Sequence, residues 1–415
     1  MSQFGLLGKN IAKSLSKFIH EKVLNEQYDL IQISSDEEFL SYLKTDFELV
    51  NVTNPYKALA FEQCTDVDDV AKATKVVNTI IKIDGELYGY NTDALGFFSL
   101  LRKSHINVLD KKCLILGTGS TSKTVEYVLN EFGANSVYFL SRNKTGDNIR
   151  SYDNIKDVKD AQIIINTTPV GAFSNGDDEP LISNVDQFNK VEAYIDINYS
   201  PITTNQSWLF KRKGIKTING LYMLIMQAIM ADELYLQEQI DEEVLEEICK
   251  EISAKYSNLV IIGHPLSGKT SVGKQLAEKL EMKHFDVDEE IEKLGMSIPE
   301  IFSQKGENYF RKLESEIIEK LASEQGCVIS TGGGAVLDES NIKKLSVNGH
   351  IISLNRRLEN IDESSIQNRP LIRCKKDLEK LILERENLYK KYADIFIENS
   401  TVKETVERIE KSLWI

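Results

Sequence analysis

Two glycine-rich loops of different design, Gly117-Thr118-Gly119-Ser120-Thr121-Ser122 and Gly263-His264-Pro265-Leu266-Ser267-Gly268-Lys269-Thr270, lie about 145 residues apart, each behind an apolar run and ahead of a helical pattern. A strand, a tight glycine turn and a helix start together favour phosphate, because the first turn of a helix leaves N–H groups unpaired and its dipole attracts an anion. The first loop has the form that faces a dinucleotide pyrophosphate. The second has the form whose backbone wraps the phosphates of ATP, with Lys269 and Thr270 completing the grip. Two such loops on one polypeptide predict two catalysts, one moving hydride and one moving phosphoryl.

A chain of 415 residues exceeds the roughly 250–300 residues at which single cores stop growing, so two or three domains are expected. With 41% hydrophobic and 27% charged residues, and only 7 prolines and 23 glycines, nearly all of it is expected to fold. The formal charge of −14 argues against nucleic acid as a partner, since phosphate backbones are met by clustered Lys and Arg. Cys64, Cys113, Cys249, Cys327 and Cys374 are scattered, without the spacing of a disulfide framework or a zinc site; they read as free thiols in a reducing cytosol, which makes the expected location cytoplasmic. The longest apolar run, Leu221 to Ala231, falls short of the roughly 18–20 residues that cross a bilayer, so no membrane span is expected. The N-terminal stretch has no acid before Glu21 but also no Arg and no small-residue cleavage site, and it is read as part of the fold. Nothing in the residues indicates an oligomeric state.

Apolar runs alternate with helical periodicity: CLILG (113–117), SVYFL (136–140), AQIIIN (161–166), EAYIDI (192–197), LVIIG (259–263), CVIS (327–330) and HIISL (350–354). Strands separated by helices predict parallel sheets with crossover helices. Asp232 to Tyr256, with Leu234, Leu236, Ile240, Val244, Leu245 and Ile248 at helical spacing, predicts one or two amphipathic helices, and a boundary falls near Ser257. The charged stretch Glu359 to Asn368 suits a mobile lid.

Behind the second loop the order strand, GxxxxGKT, helix with Val272, Leu276 and Leu280 on one side assigns nucleotide binding, with Gly263 and Gly268 shaping the turn, Lys269 on the β and γ phosphates and Thr270 on Mg²⁺. The next strand-like segment ends in HFDVD, which places Asp286 and Asp288 on the same side of an extended chain. Two carboxylates there divide work, one holding a metal-bound water and one accepting a proton from a substrate hydroxyl; a solvated acidic helix start with Glu289 and Glu290 is the plainer alternative. GHPLSGKTSVGKQLA, FDVDEEIE, SIPEIFSQKGENYFRKLE, STGGG, NRPLI and LERENLYKKYAD, in that order, resemble shikimate kinase across nearly all of 258–415. The resemblance implies ATP and Mg²⁺, with Asp286 as the carboxylate on the Mg²⁺ side. It further implies Asp288, Arg311, Gly332, Gly333, Gly334 and Arg385 around shikimate, and Arg369 as the lid arginine that reaches the phosphates. Arg311 and Arg385 are suited to fork onto the carboxylate of a small hydroxy acid, and glycines let backbone approach it closely. Out of context, Arg311 reads as a surface ion pair with a nearby Glu. The stretch IDESSIQ departs from the family, which carries an adenine-stacking arginine in that region.

The first loop precedes a helix carrying Val125, Val128, Leu129 and Phe132, and alone it reads equally as a cofactor loop or a plain tight turn. The following run ends in Ser141-Arg142-Asn143-Lys144 rather than in an acid, and these cations fit a 2′-phosphate, which points to NADP held by Gly117, Gly119, Ser120, Arg142 and Lys144. Asn51-Val52-Thr53-Asn54-Pro55-Tyr56-Lys57, Val77-Asn78-Thr79 and Gly89-Tyr90-Asn91-Thr92-Asp93 are turn chemistry when taken singly. Together with Ser14-Leu15-Ser16, Asn166-Thr167-Thr168-Pro169, Tyr199 and Asn219-Gly220-Leu221…Gln227 they resemble shikimate dehydrogenase over most of 4–240. The resemblance implies Lys57 and Asp93 as the catalytic pair and Ser14, Ser16, Thr53, Asn78, Tyr199 and Gln227 as ligands of the hydroxy acid. Lys13, Lys17, Ser120 and Tyr222 depart from the family pattern, Tyr222 beside the expected nicotinamide pocket.

The two resemblances imply an α/β protein: a two-lobed dehydrogenase with a substrate-binding, catalytic lobe (1–101 plus 220–240) and a Rossmann-like NADP lobe (102–219), a helical linker (241–256), and a P-loop kinase domain with a central parallel sheet (257–415). The helical pattern from Leu221 to about Leu236 is expected to return to the first lobe. The implied activity is bifunctional: 3-dehydroshikimate is reduced with NADPH, and shikimate is then phosphorylated at its 3-hydroxyl with MgATP, neighbouring steps toward chorismate. Two alternatives stay open. Quinate differs from shikimate by a hydroxyl and a double bond and suits a similar pocket; a metabolite sensor lacks turnover, against which Lys57, Asp93, Lys269 and Asp288 are all present.

Overall fold

In the computed structural model, which describes residues 3–12, 14–173, 179–361, 372 and 374–414, the chain forms two compact units. Unit 1 comprises Met1–Tyr199, Thr204–Phe210 and Ile215–Ile248; unit 2 comprises Ser200–Thr203, Lys211–Gly214 and Cys249–Ile415. Arg369, residues 362–368 of the expected lid, and Lys13 lie outside the described residues.

Unit 1 carries two six-stranded sheets. The first contains β1 (Phe4–Gly8), β2 (Tyr28–Gln32), β3 (Leu49–Val52), β4 (Asp66–Val67), β5 (Thr79–Ile83) and β6 (Glu86–Tyr90), in the order β2-β1-β3-β5-β6-β4. β1 and β3 are buried throughout, because both faces of this sheet are covered and FGLLG and LVNV supply small or apolar residues to each. The sheet is mixed: β5 runs antiparallel to β3 and to β6, and none of the apolar runs that predicted parallel sheets lies in it. The reason is local. Asp84 and Gly85 join β5 to β6 with φ of 50° and 85°, a two-residue left-handed turn whose twist suits a hairpin and is too short for a crossover.

The second sheet contains β7 (Lys112–Leu116), β8 (Ser136–Ser141), β9 (Ile149–Ser151), β10 (Ile163–Asn166), β11 (Ala193–Asp196) and β12 (Lys216–Asn219), ordered β12-β11-β10-β7-β8-β9 and parallel at every pairing. Chain order reverses at β7, so the loop that follows it, with Gly117, opens at the switch point where such sheets leave a crevice. The helix Leu221–Leu236 packs on the helices Thr92–Lys103 and Ser16–Leu24, so the chain returns to the first sheet after completing the second.

Unit 2 has one parallel sheet of β13 (Asn258–Gly263), β14 (Lys283–Asp286), β15 (Cys327–Ser330), β16 (Gly349–Asn355) and β17 (Ile395–Glu398), ordered β14-β15-β13-β16-β17. The central β13 is buried at all positions, and Leu259, Ile261, Val272, Leu276, Leu280, Val328 and Ile352 form the core on one of its faces. The five cysteines are free. Among the described residues no helix is long and apolar enough to cross a membrane.

Candidate active sites

In unit 1, β3 delivers Lys57 to the start of the helix Lys57–Gln63, and β6 delivers Asp93 to the first turn of the helix Thr92–Lys103. Lys57 Nζ donates to Asp93 Oδ2 at 2.5 Å, and both side chains are more than nine-tenths buried. Asn78, just before β5, donates its Nδ2 to Asp93 Oδ1 at 3.0 Å and to Gln227 Oε1 at 3.2 Å, while its Oδ1 accepts from the Thr92 N–H at 2.8 Å. Both Asp93 oxygens are thus engaged, and an ammonium held beside a fixed carboxylate is placed to exchange a proton. The structure brings Ser14 and Ser16 together at 3.0 Å between hydroxyls. Tyr199 joins them: burial pushes its phenol up, against hydrogen bonds from the Leu15 backbone and the Ser14 side chain. Thr53 follows β3, with its N–H donating to Leu7 O at 2.9 Å.

At the first glycine loop, Gly117 has φ of 102°, and a Cβ there would meet Thr168 Cγ2 at 2.8 Å. Ser120 opens the helix Ser120–Glu131, whose N-cap Gly119 supplies no side-chain cap; a Cβ on Gly119 would meet nothing within 4 Å. Lys144 Nζ donates to Thr118 O at 3.0 Å, which brings one of the two cations after β8 to the loop; Arg142 follows β8 two residues earlier. An uncapped helix start, an open glycine and Arg142 with Lys144 alongside fit a dinucleotide carrying an extra phosphate. Val125, Val128 and Leu129 are buried as expected, but Phe132 is not: it caps the helix, stays 43% exposed and stacks on Phe98 at 4.3 Å.

In unit 2, Lys269 Nζ donates to the carbonyls of Gly263 at 3.0 Å and His264 at 2.9 Å. Beneath the loop the buried Ser267 hydroxyl has no partner among the described residues, and a Cβ on Gly268 would meet Asn399 Nδ2 at 2.4 Å. These features fit a loop that closes on phosphates. Thr270 Oγ1 donates to Asp286 Oδ2 at 2.6 Å, an oxygen pair suited to Mg²⁺, which takes few protein ligands and completes its shell with water and phosphate. The expected extended geometry for Asp286 and Asp288 is corrected. β14 ends at Asp286, which caps the helix Val287–Glu292, its Oδ1 accepting from the N–H groups of Asp288 at 2.9 Å and Glu289 at 3.3 Å. The acidic helix start and the carboxylate pair are one feature, because a short polar side chain at a strand end competes for the next N–H groups.

Asp288, Arg311 and the three glycines converge. A Cβ on Gly332 would meet Glu314 Oε1 at 2.7 Å and Asp288 Oδ1 at 3.0 Å, and one on Gly334 would overlap the Arg311 guanidinium at 2.2 Å. Arg385 Nη1 donates to Gly333 O at 3.0 Å, as does the Tyr389 hydroxyl at 2.6 Å. Arg311 also makes the ion pairs expected of a surface arginine, with Glu307 at 3.0 Å and Glu314 at 2.7 Å. Glu314 and Tyr389 are absent from the sequence reading. Glu314 is buried and its Oε1 has no partner among the described residues; burial pushes its carboxyl up against the pull of Arg311. The available signal was spacing: Glu314 is one helical turn from Arg311, and Tyr389 one turn from Arg385.

A family profile described as shikimate kinase matches residues 265–414, and one described as the shikimate dehydrogenase substrate binding domain matches residues 6–80. The chain is similar to shikimate dehydrogenase (NADP(+)) of Clostridium perfringens, 31% identical over 273 residues that make up 62% of this chain and 100% of that one. It is similar in structure to shikimate dehydrogenase 1 from Peptoclostridium difficile, at 31% identity and a TM-score of 0.55, covering 61% of this chain and 98% of that one. It is also similar to shikimate 5-dehydrogenase from Thermus thermophilus, whose structure holds NADP(H) and shikimate, at 28% identity and a TM-score of 0.52, covering 60% and 98%.

Proposed function

Because the chain belongs to the shikimate dehydrogenase family and carries a shikimate kinase domain behind it, we propose that it performs two consecutive steps, reducing 3-dehydroshikimate to shikimate and phosphorylating shikimate at its 3-hydroxyl. It is an NADP-dependent dehydrogenase and an ATP-dependent kinase using Mg²⁺; the direction of the first step and the roles of individual residues are the proposal.

In the first step NADPH supplies the hydride. Hydride arriving at a ketone carbon leaves charge on oxygen, and Lys57, held by Asp93, donates the proton as that charge develops. Ser14, Ser16, Thr53, Asn78, Tyr199 and Gln227 hold the acid, and Gly117, Gly119, Ser120, Arg142 and Lys144 hold the dinucleotide. The lobe boundaries 1–101 plus 220–240 and 102–219, the linker 241–256 and the kinase segment 257–415 belong to the same reading. In the second step MgATP supplies the phosphoryl group. Arg311 and Arg385 fork onto the carboxylate, Gly332 to Gly334 bring backbone to the ring, and Asp288 accepts the hydroxyl proton. Gly263, Gly268, Lys269 and Thr270 hold the nucleotide, with Asp286 on the metal side and Arg369 assigned to the phosphates by resemblance alone. Positioning and charge neutralisation, rather than covalent help, carry such a transfer.

The observation that supports the reading most is that one chain assembles both constellations, the buried Lys57–Asp93 contact and the convergence of Asp288 and Arg311 on Gly332 and Gly334. Purified protein given 3-dehydroshikimate, NADPH, ATP and Mg²⁺ is expected to consume NADPH and release shikimate 3-phosphate. NADPH consumption without phosphorylated product, while added shikimate also stays unphosphorylated, refutes the two-step reading.

A further inference from the structure

Behind the Lys57–Asp93 pair a series of buried polar side chains crosses the first sheet, and from Tyr28 through Asn51 to Thr79 its donors are aimed toward Asn78. Tyr28 on β2 donates its hydroxyl to Asn51 Oδ1 on β3 at 2.7 Å. Asn51 Nδ2 donates to Thr79 Oγ1 on β5 at 3.0 Å. The Thr79 hydroxyl reaches Thr92 Oγ1 at 3.3 Å and Asn78 Oδ1 at 3.5 Å. Asn78 Nδ2 in turn donates to Thr92 Oγ1 at 2.9 Å and to Asp93 Oδ1 at 3.0 Å. None of Tyr28, Asn51, Thr79, Asn78 and Thr92 is more than 3% exposed.

The direction of the series follows from its outer end. Burial, and then the charge of Asp232, push the ionisation of Tyr28 well above the ordinary tyrosine range, so the phenol keeps its proton and gives it to Asn51. That fixes the Asn51 amide with its N–H groups toward Thr79, which takes the Thr79 oxygen as an acceptor and turns its proton toward Thr92 and Asn78. The outer end is itself held: the Tyr28 ring stacks on His20 with centroids 4.3 Å apart, and His20 Nδ1 meets Asp232 Oδ1 at 2.6 Å with both side chains fully buried. His20 and Asp232 belong to the helices Ser16–Leu24 and Leu221–Leu236, which also carry Ser16 and Gln227. Strand interiors of this kind are ordinarily filled by apolar residues; a satisfied polar series costs desolvation and returns a unique orientation.

We propose that Tyr28, Asn51 and Thr79 are positioning residues of the dehydrogenase: their one-way hydrogen bonds orient the Asn78 amide on Asp93 and thereby fix the carboxylate that holds Lys57. None of the three touches a reacting atom in this assignment, which rests on Lys57 and Asp93 being the catalytic pair.

Thr79→Val keeps the shape and removes the hydroxyl; Thr79→Ser keeps the hydroxyl and removes a methyl. A positioning role makes Val the worse variant, with dehydrogenase kcat down about fivefold to twentyfold and the KM for NADP unchanged, Ser retaining more turnover, and Tyr28→Phe down about threefold or more. A packing role inverts the order, because Ser opens a cavity and Val does not. Ser below Val, or a Tyr28→Phe kcat equal to that of the parent, overturns the inference. Thermal unfolding verifies that each variant is folded; should Thr79→Val not fold, Tyr28→Phe, which removes a single oxygen, decides. Lys57→Ala is assayed alongside. If it stays active, the catalytic pair is misassigned and the inference falls with it; if it is inactive while Thr79→Val matches the parent, the inference alone fails.

Discussion

The two sites hold their charges differently. In unit 1 the cation and the anion of the site hold each other, Lys57 on Asp93, from segments 36 residues apart in sequence. In unit 2 the charged groups rest on neighbours of their own: Lys269 on two carbonyls of its loop, Arg311 on Glu307 and Glu314, Asp286 on the Thr270 hydroxyl and on the first N–H groups of a helix. The contrast follows the chemistry. In the proposed roles, moving a proton needs one donor at one place, which a closed pair provides, while gripping a polyanion needs a cation such as Lys269, whose present partners are neutral carbonyls that phosphate can displace.

The largest expected effects test whether the two sites are separate. Lys57→Ala is expected to lower dehydrogenase turnover by on the order of 10³, the scale of general acid–base catalysis, and to leave phosphorylation of added shikimate intact. Lys269→Ala is expected to lower phosphorylation by on the order of 10²–10³, as removal of a preorganised charge does, and to leave NADP reduction by shikimate intact. Loss of both activities in either folded variant breaks the division of the chain into two catalysts. A smaller effect sharpens it: Glu314→Gln, which takes the charge from beside Arg311, is expected to raise the kinase KM for shikimate about fivefold to tenfold, roughly 1 to 1.4 kcal/mol, with the KM for ATP unchanged. An equal rise in both would mean that Glu314 serves the fold of unit 2 and not the seat of Arg311.

Two buried groups, one in each unit, are also expected to answer pH with opposite sign. Burial pushes the Asp196 carboxyl up to about 6, against hydrogen bonds from Thr204, Asn198, Tyr194 and Asn166. An acid whose folded pKa exceeds its unfolded value of about 3.9 stabilises unit 1 below that value, and this contribution, on the order of 2–3 kcal/mol, is lost as pH rises through about 6. His264 is pushed down from its usual value by burial, and by Lys269 against hydrogen bonds to the Pro265 and Arg356 carbonyls. A base with a depressed pKa stabilises unit 2 above about pH 6.5, and this contribution is lost as pH falls. Heating at pH 5 and at pH 7, followed by separate assays, is expected to show these two contributions as differences between the parent and variants that lack one group. His264→Gln is expected to flatten the kinase difference, and Asp196→Asn the dehydrogenase one.

What the sequence revealed follows how each element is buried. β7, β8, β10, β11, β13, β15 and β16 lie inside parallel sheets and read as mostly apolar runs rather than as alternating ones. β2 is buried only at Tyr28, and its remaining positions mix Asp, Leu, Ile and Gln, so no run marks it; the Asp84-Gly85 turn carried a hairpin signal for β5 and β6 that no expectation used. The candidate site residues that a motif fixes, such as Lys57, Asp93 and the loop from Gly263 to Thr270, could be named from the sequence, and the structure brings Lys57 and Asp93 together. Glu314 and Tyr389 could not, because what sets them apart is a contact, Glu314 with Arg311 and Tyr389 with the Gly333 carbonyl beside Arg385, that no motif marks. Tyr28, Asn51 and Thr79 escaped for a further reason: no periodicity distinguishes a polar side chain that is buried and satisfied from one that faces water.

The smallest expected effect compares the two loops from which the fold was first read. In the second loop a Cβ on Gly263 would meet Leu354 O at 2.2 Å, and one on Gly268 the Asn399 amide at 2.4 Å, so alanine at either position disturbs the loop whatever is bound. Gly119 in the first loop differs, with φ of −87° and no atom within 4 Å of an added Cβ. Gly119→Ala is therefore expected to shift the thermal midpoint by no more than about 1 °C. Its methyl group projects instead beside the first turn of the helix Ser120–Glu131, where the dinucleotide pyrophosphate is assigned. The expected consequence is a severalfold rise in the KM for NADP, with the KM for shikimate and the kinase reaction unchanged. An unaltered KM for NADP in this variant would move the pyrophosphate away from Gly119 and leave Lys144 without the phosphate that its contact with the Thr118 carbonyl implies.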